Sequence, residues 1–274
     1  MTDCSPPDTP PTYWITQSNG RIPVRRYGEG PQLVIALHGF TYQGNVFQNW
    51  ATELGENYTV CAPDLPFHGA AEWQKKQVTA EETLALISAI AKKENQVKFW
   101  LLGHSMGARF IVCLAHHLAH QLLGTILLAP AGIGSYDRVP SLAVQRVAEA
   151  ALTWPGWFKW LVLLGHKVGL ISNFHRRYAE VQLFPTQSRW QLFRVFNALR
   201  YFATSTPKRQ AFWTKTSLPT YVLLGKKDRL IPAEKVADYF ANTQNLTLAY
   251  TNDGHELVTA ASARLVAQWL TNGY

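Results

Sequence analysis

Three residues have the types and the spacing for acyl transfer: Ser105, Asp228 and His255. A serine hydroxyl is a weak nucleophile and needs a base to take its proton, and an imidazole base needs a carboxylate to fix its tautomer and steady its cation. Ser105 stands in Gly103-His104-Ser105-Met106-Gly107, directly after the strand-forming run Phe99-Trp100-Leu101-Leu102 and before a helical pattern through Phe110 to Ala119. A serine on so sharp a strand-to-helix turn is strained, and its neighbours must be small. The turn pushes the hydroxyl beyond the sheet edge, where the helix N-terminus supplies N–H groups and partial positive charge.

Asp228 follows the apolar run Tyr221-Val222-Leu223-Leu224, and His255 follows the run Leu246 to Tyr250, so each falls just past the end of an expected strand. Ends of parallel strands are where open α/β sheets place ligands and chemistry. The rest of the chain supplies such a sheet. Leu33 to Leu37, Tyr58 to Ala62 and Thr125 to Leu128 read as further buried strands, and Tyr13 to Gln17 with Arg21 to Arg26 as a hairpin around Asn19-Gly20. Helical spacing lies between them at Phe47 to Leu54 and Glu81 to Lys93, then again at Ala233 to Phe240 and in a closing helix to Leu270. This alternation predicts a mostly parallel twisted sheet flanked by helices.

The G-x-S-x-G turn, and the order Ser, Asp, His along the chain, resemble the α/β-hydrolase superfamily. That resemblance covers nearly the whole chain from Tyr13 onward and implies an α/β-hydrolase core of residues 13–133 and 216–274. It also implies an oxyanion hole made by the backbone N–H of Met106 and, in the loop His38-Gly39-Phe40, that of Phe40. In this family the stretch Asp64-Leu65-Pro66-Phe67-His68-Gly69 usually braces the site, which gives Asp64 and His68 a structural role. His104 is expected to shape the elbow and His38 to hold its loop, with both kept as candidate substrate-binding residues. Arg109, one helical turn beyond Ser105, completes an S-x-G-x-R pattern similar to pyruvate-eliminating lyases of the menaquinone pathway, where arginines bind an anionic substrate. The tyrosine that many such lyases carry before the serine is His104 here.

Between residues 134 and 215 the alternation stops and helix follows helix: Leu142 to Leu152, Trp157 to Lys167, Phe174 to Leu183, Arg189 to Phe202 and Arg209 to Trp213. The segment sits where the superfamily carries its cap. It holds five tryptophans and seven phenylalanines, an apolar roof suited to a lipophilic acyl substrate. It also holds the chain's positive excess, since Pro130 to Lys215 has 12 Lys and Arg against 3 Asp and Glu in a protein of net charge +8. An anionic substrate, or transient contact of Trp157 to Lys167 with an anionic membrane, fits that balance. Nucleic acid does not, because the basic residues are interleaved with apolar ones and accompany no recognised binding motif.

No apolar run is long enough to span a membrane, and the polar, proline-rich residues 1–12 read as a flexible tail without a signal sequence, which points to the cytoplasm. Cys4, Cys61 and Cys113 form no disulfide framework, and His116, His117 and His120 on the elbow helix lack an acidic companion for a metal. The expectation is therefore a serine hydrolase of carboxylic esters or thioesters that needs no metal or organic cofactor. Two readings stand beside it: the pyruvate-eliminating lyase, and a non-catalytic ligand-binding protein of the same fold.

Overall fold

The computed structural model describes residues 12–133, 155–182, 185–199 and 201–272. Those of 12–133 and 201–272 form one compact unit, and those of 155–182 and 185–199 another. The expected N-terminal tail, apart from Thr12, and the expected helix Leu142 to Leu152 lie outside the described residues.

The first unit is built on a nine-stranded sheet. Its strands are β1 (Tyr13–Gln17), β2 (Gly20–Tyr27), β3 (Gln32–Leu37), β4 (Tyr58–Pro63), β5 (Glu72–Trp73), β6 (Phe99–His104), β7 (Leu122–Leu128), β8 (Thr220–Gly225) and β9 (Leu246–Thr251). They lie in the order β1-β2-β4-β3-β6-β7-β8-β9, with β5 against β2. The hairpin β1–β2 and the pair β2–β4 are antiparallel, and every pairing from β4 to β9 is parallel. Parallel strands covered on both faces read as continuous apolar runs, and β4 and β8 are buried along their whole length.

Helices α1 (Gln48–Leu54), α2 (Ala80–Lys93) and α3 (Met106–Leu118) belong to this unit. The start of α2 is fixed by a capping box in which Thr79 Oγ1 accepts from the Glu82 amide and Glu82 accepts from the Thr79 amide. α3 buries eleven of its thirteen residues, which ties the turn before it firmly to the sheet.

The second unit contains α4 (Pro155–Lys167), α5 (Asn173–Gln182) and α6 (Thr186–Leu199), with α5 packed on both neighbours. The chain then returns to the first unit with α7 (Pro207–Lys215), α8 (Ala233–Phe240) and α9 (Ala260–Asn272). The helical pattern of the sequence puts residues 201–215 in the insertion, whereas they group with the first unit. Trp213 is the reason: it is buried, its ring stands edge-on to Phe240 at 5.3 Å, and its indole donates to the Val112 carbonyl at 3.2 Å. Among the described residues no helix is long and apolar enough to cross a membrane, and no cluster of three or more His, Cys, Asp or Glu is placed to hold a metal ion.

Candidate active site

Ser105 occupies the left-handed region at φ 49°, the position between β6 and α3 that the sequence marked as strained. A non-glycine residue there costs on the order of 1–3 kcal/mol and persists only where its surroundings over-determine it. They do: the Ser105 amide donates to Leu128 at 2.9 Å, and its carbonyl accepts from Arg109 at 3.0 Å and Ala131 at 3.1 Å. Gly107 has no room for a side chain, since a Cβ would lie 2.0 Å from the Leu37 carbonyl oxygen at the end of β3. The elbow is thus clamped from both adjacent strands.

Asp228 and His255 come from the turns after β8 and β9. These turns are stitched together by the Lys226 amide donating to Thr251 and the Lys227 amide donating to Asp253, both at 2.9 Å. His255 Nε2 lies 2.9 Å from Ser105 Oγ, and His255 Nδ1 lies 2.8 Å from Asp228 Oδ2. The other Asp228 oxygen accepts from the amides of Leu230 at 2.8 Å and Ile231 at 2.9 Å. Burial pushes the Asp228 carboxyl up, but the bond and charge of His255 and the two amides outweigh it and hold the group below its usual range. A carboxylate so held keeps the Nδ1 proton on His255 and leaves the Nε2 lone pair facing the serine hydroxyl.

Gly39 carries the loop after β3 to the elbow: a Cβ there would sit 2.7 Å from His104 Nδ1 and 3.4 Å from Ser105 Cβ. Among the described residues the amides of Phe40 and Met106 have no hydrogen-bond partner. The loop is braced from below. His38 donates from Nδ1 to the Gly39 carbonyl at 2.8 Å and accepts at Nε2 from the Leu65 amide at 2.9 Å. Asp64 is fully buried in an ion pair with Arg25 and accepts from the amides of Gly44 at 2.8 Å and Ala70 at 2.9 Å, so it has the bracing role read from sequence.

His104 donates from Nε2 to the main-chain carbonyl of His255 at 2.9 Å. Burial, then the neighbouring His255 charge, lowers its pKa to about 3. Burial lowers His68 to about 4 and holds His38 well below the ordinary imidazole range, so these three rings are neutral braces at neutral pH. His38 bonds to main chain through both ring nitrogens and His104 through Nε2, and these bonds brace the loops around Ser105. Arg109 is a brace as well. It is buried, its Nε donates to the Phe202 carbonyl at 2.7 Å, and its guanidinium packs against Gly132, so it ties the returning segment to α3.

One contact escaped the sequence reading. The Tyr42 hydroxyl donates to the Glu256 carboxylate, joining the loop after β3 to the residue next to His255 across 214 positions. Neither residue type nor spacing marks such a pair.

A family profile described as serine aminopeptidase, S33, matches residues 29–259. The lipase LipV of Mycobacterium tuberculosis is 30% identical over 135 residues, which span 49% of this chain and 49% of the lipase, so the match extends over about half of each protein. A pimeloyl-[acyl-carrier protein] methyl ester esterase of Methylococcus capsulatus is 24% identical over 76% of this chain and 80% of its own. Among solved structures, a thermophilic esterase from Thermogutta terrifontis superposes with a TM-score of 0.68 at 19% identity, covering 95% of this chain and 98% of that one. The profile match over most of the chain, on the sheet order and elbow described above, places this protein in the serine aminopeptidase S33 family of α/β-hydrolases.

Proposed function

We propose that this protein hydrolyses carboxylic esters or thioesters through an acyl-enzyme formed on Ser105. The observation that carries this reading is the continuous line from Ser105 Oγ through His255 to Asp228, with links of 2.9 and 2.8 Å. Ser105 attacks the acyl carbon while His255 Nε2 takes its proton, and Asp228 steadies the imidazolium. The oxyanion forms against the Phe40 and Met106 amides, donors worth roughly 3 kcal/mol each in serine enzymes. Collapse breaks the bond to the leaving oxygen or sulfur, which takes the proton back from His255. Water, deprotonated by His255, then attacks the acyl carbon, and the tetrahedral intermediate collapses to free acid as the bond to Ser105 Oγ breaks and Oγ takes the proton back from His255. Each of these steps is performed by side chains and amides of this chain.

The names of relatives point the same way, since the Mycobacterium protein is a lipase and the Methylococcus and Thermogutta proteins are esterases. The aromatic, basic composition of residues 134–215 favours a lipophilic or anionic acyl group over a small neutral one. Hydrolysis is preferred to pyruvate elimination because Arg109, the residue that suggested an anion site, directs its Nε to the Phe202 carbonyl. The test is mass spectrometry after treatment with a small fluorophosphonate. A single adduct on Ser105 that His255→Ala suppresses is expected. Well-folded wild-type protein that takes up neither this probe nor a smaller one would overturn the reading in favour of a non-catalytic binding protein.

A further inference from the structure

We propose that α4 and the turn after it form a docking surface for an anionic lipid bilayer. One side of α4 is taken by its own hairpin. Val162 is buried, Gly165 lies so close to Ile171 that a Cβ would come within 2.9 Å of its Cδ1, and His166 Nδ1 donates to the Ile171 carbonyl at 2.9 Å. Gly169, at φ 78°, reverses the chain so that the Leu170 and Ile171 amides donate back to Gly165 at 2.8 and 3.1 Å.

The opposite side carries exposed apolar side chains. Trp160 is 61% exposed, with Leu161, Leu163 and Leu164 exposed beside it, and at the tip Val168 is 59% and Leu170 83% exposed. Positions 160, 164 and 168 stack along one side of a helix, with 161 and 163 flanking them. Six large apolar side chains in so short a stretch, on one surface, mark an interaction site rather than scattered exposure.

Charge selects the occupant. Lys159 and Lys167 are exposed on this helix, and the sequence from 150 to 179 contains no Asp or Glu. Residues 138–200 carry nine Lys and Arg against two acidic residues, so a second copy of the protein would bring like charge to the contact. A nucleic acid would require cations across the face, where leucine and valine stand instead. An anionic bilayer satisfies both features: the apolar side chains enter the acyl boundary, Trp160 sits at the headgroup level, and Lys159 at one edge of the face and Lys167 at its C-terminal end meet lipid phosphates. This inference is independent of the triad chemistry.

The test is flotation of the full chain with vesicles of one part phosphatidylglycerol to two parts phosphatidylcholine, against phosphatidylcholine alone. Binding to the anionic vesicles is expected to exceed binding to neutral ones by about tenfold and to weaken in high salt. The double variant Trp160→Ser with Leu164→Ser should lose about a hundredfold, since each large side chain is worth about tenfold on burial. Lys159→Glu with Lys167→Glu should abolish the preference for anionic vesicles. Both variants should melt cooperatively, near the wild-type midpoint. Wild type that stays unbound, or apolar variants that float as well as wild type, would overturn the proposal. So would a lipid-free dimer seen by light scattering that Trp160→Ser with Leu164→Ser dissolves, because a second copy would then cover the face.

Discussion

Asp228→Asn isolates the tautomer of His255, and the structure makes the outcome one-sided. In the wild type one carboxylate oxygen receives the His255 Nδ1–H at 2.8 Å, while the other receives the Leu230 and Ile231 amides at 2.8 and 2.9 Å. An asparagine has one oxygen for these two jobs. The two amides are main-chain donors fixed by the turn, so the asparagine oxygen must face them and its NH2 must face His255. His255 Nδ1 can then only accept, its proton moves to Nε2, and Nε2 no longer has a lone pair for the Ser105 hydroxyl 2.9 Å away. The corresponding substitution in serine proteases lowers kcat about 10⁴-fold, some 5.5 kcal/mol of barrier, and the same order is expected here. Shape and most hydrogen bonds are preserved, so the fold should survive. The assay is kcat on a short p-nitrophenyl ester, with fluorophosphonate labelling rates in parallel and circular dichroism to verify folding. A variant within tenfold of wild type in both rates would refute the tautomer argument and with it the role given to Asp228.

Four further outcomes follow from the same geometry. Gly39→Ala places a Cβ 2.7 Å from His104 Nδ1, so the loop must shift and carry the Phe40 amide with it; kcat should fall about 10²- to 10³-fold with KM little changed, and an unchanged kcat would remove Phe40 from the oxyanion hole. Arg25→Met leaves the fully buried Asp64 without its cation and should destabilise by about 3–5 kcal/mol in urea unfolding, whereas a loss below about 1 kcal/mol would show that the Gly44 and Ala70 amides suffice. His68 is held neutral with a pKa lowered to about 4, so between that value and about 6.5 the unfolded chain binds a proton that the folded chain does not, and stability falls as pH falls through that window. His68→Gln should flatten this dependence by up to about 1.4 kcal/mol per pH unit, measured as urea midpoints and slopes from pH 7 to 4.5, and an unaltered dependence would mean that His68 is not held neutral. Arg109→Met should lower stability and reduce turnover of neutral and anionic esters by the same factor, because the buried guanidinium is bonded to Phe202; a loss confined to anionic esters would restore the anion-binding role.

What was legible in the sequence follows from the range of the forces involved. Gly103, Ser105 and Gly107 are dictated by a turn five residues long, where a Cβ at position 107 would strike the Leu37 carbonyl oxygen, so the constraint is written in the residue types themselves. Asp228 and His255 are legible as candidates because parallel strands announce their ends, and both residues lie within a few positions of one. The bracing role of Asp64 came from the resemblance, and its partner Arg25, 39 residues away, did not. Arg109 shows the limit most clearly. Its spacing from Ser105 placed it one turn along the elbow helix, but spacing along a helix does not say what the rest of the chain will lay against that turn. The answer is Phe202, 93 residues later, whose carbonyl takes the Arg109 Nε and whose ring lies 4.3 Å from that of Phe110. The same return path carries Trp213 onto Phe240 and withdraws residues 201–215 from the insertion. A helix with one large apolar anchor reads alike whether it packs on an insertion or on a core, so the boundary of the first unit is decided by packing between distant segments, which local pattern does not encode.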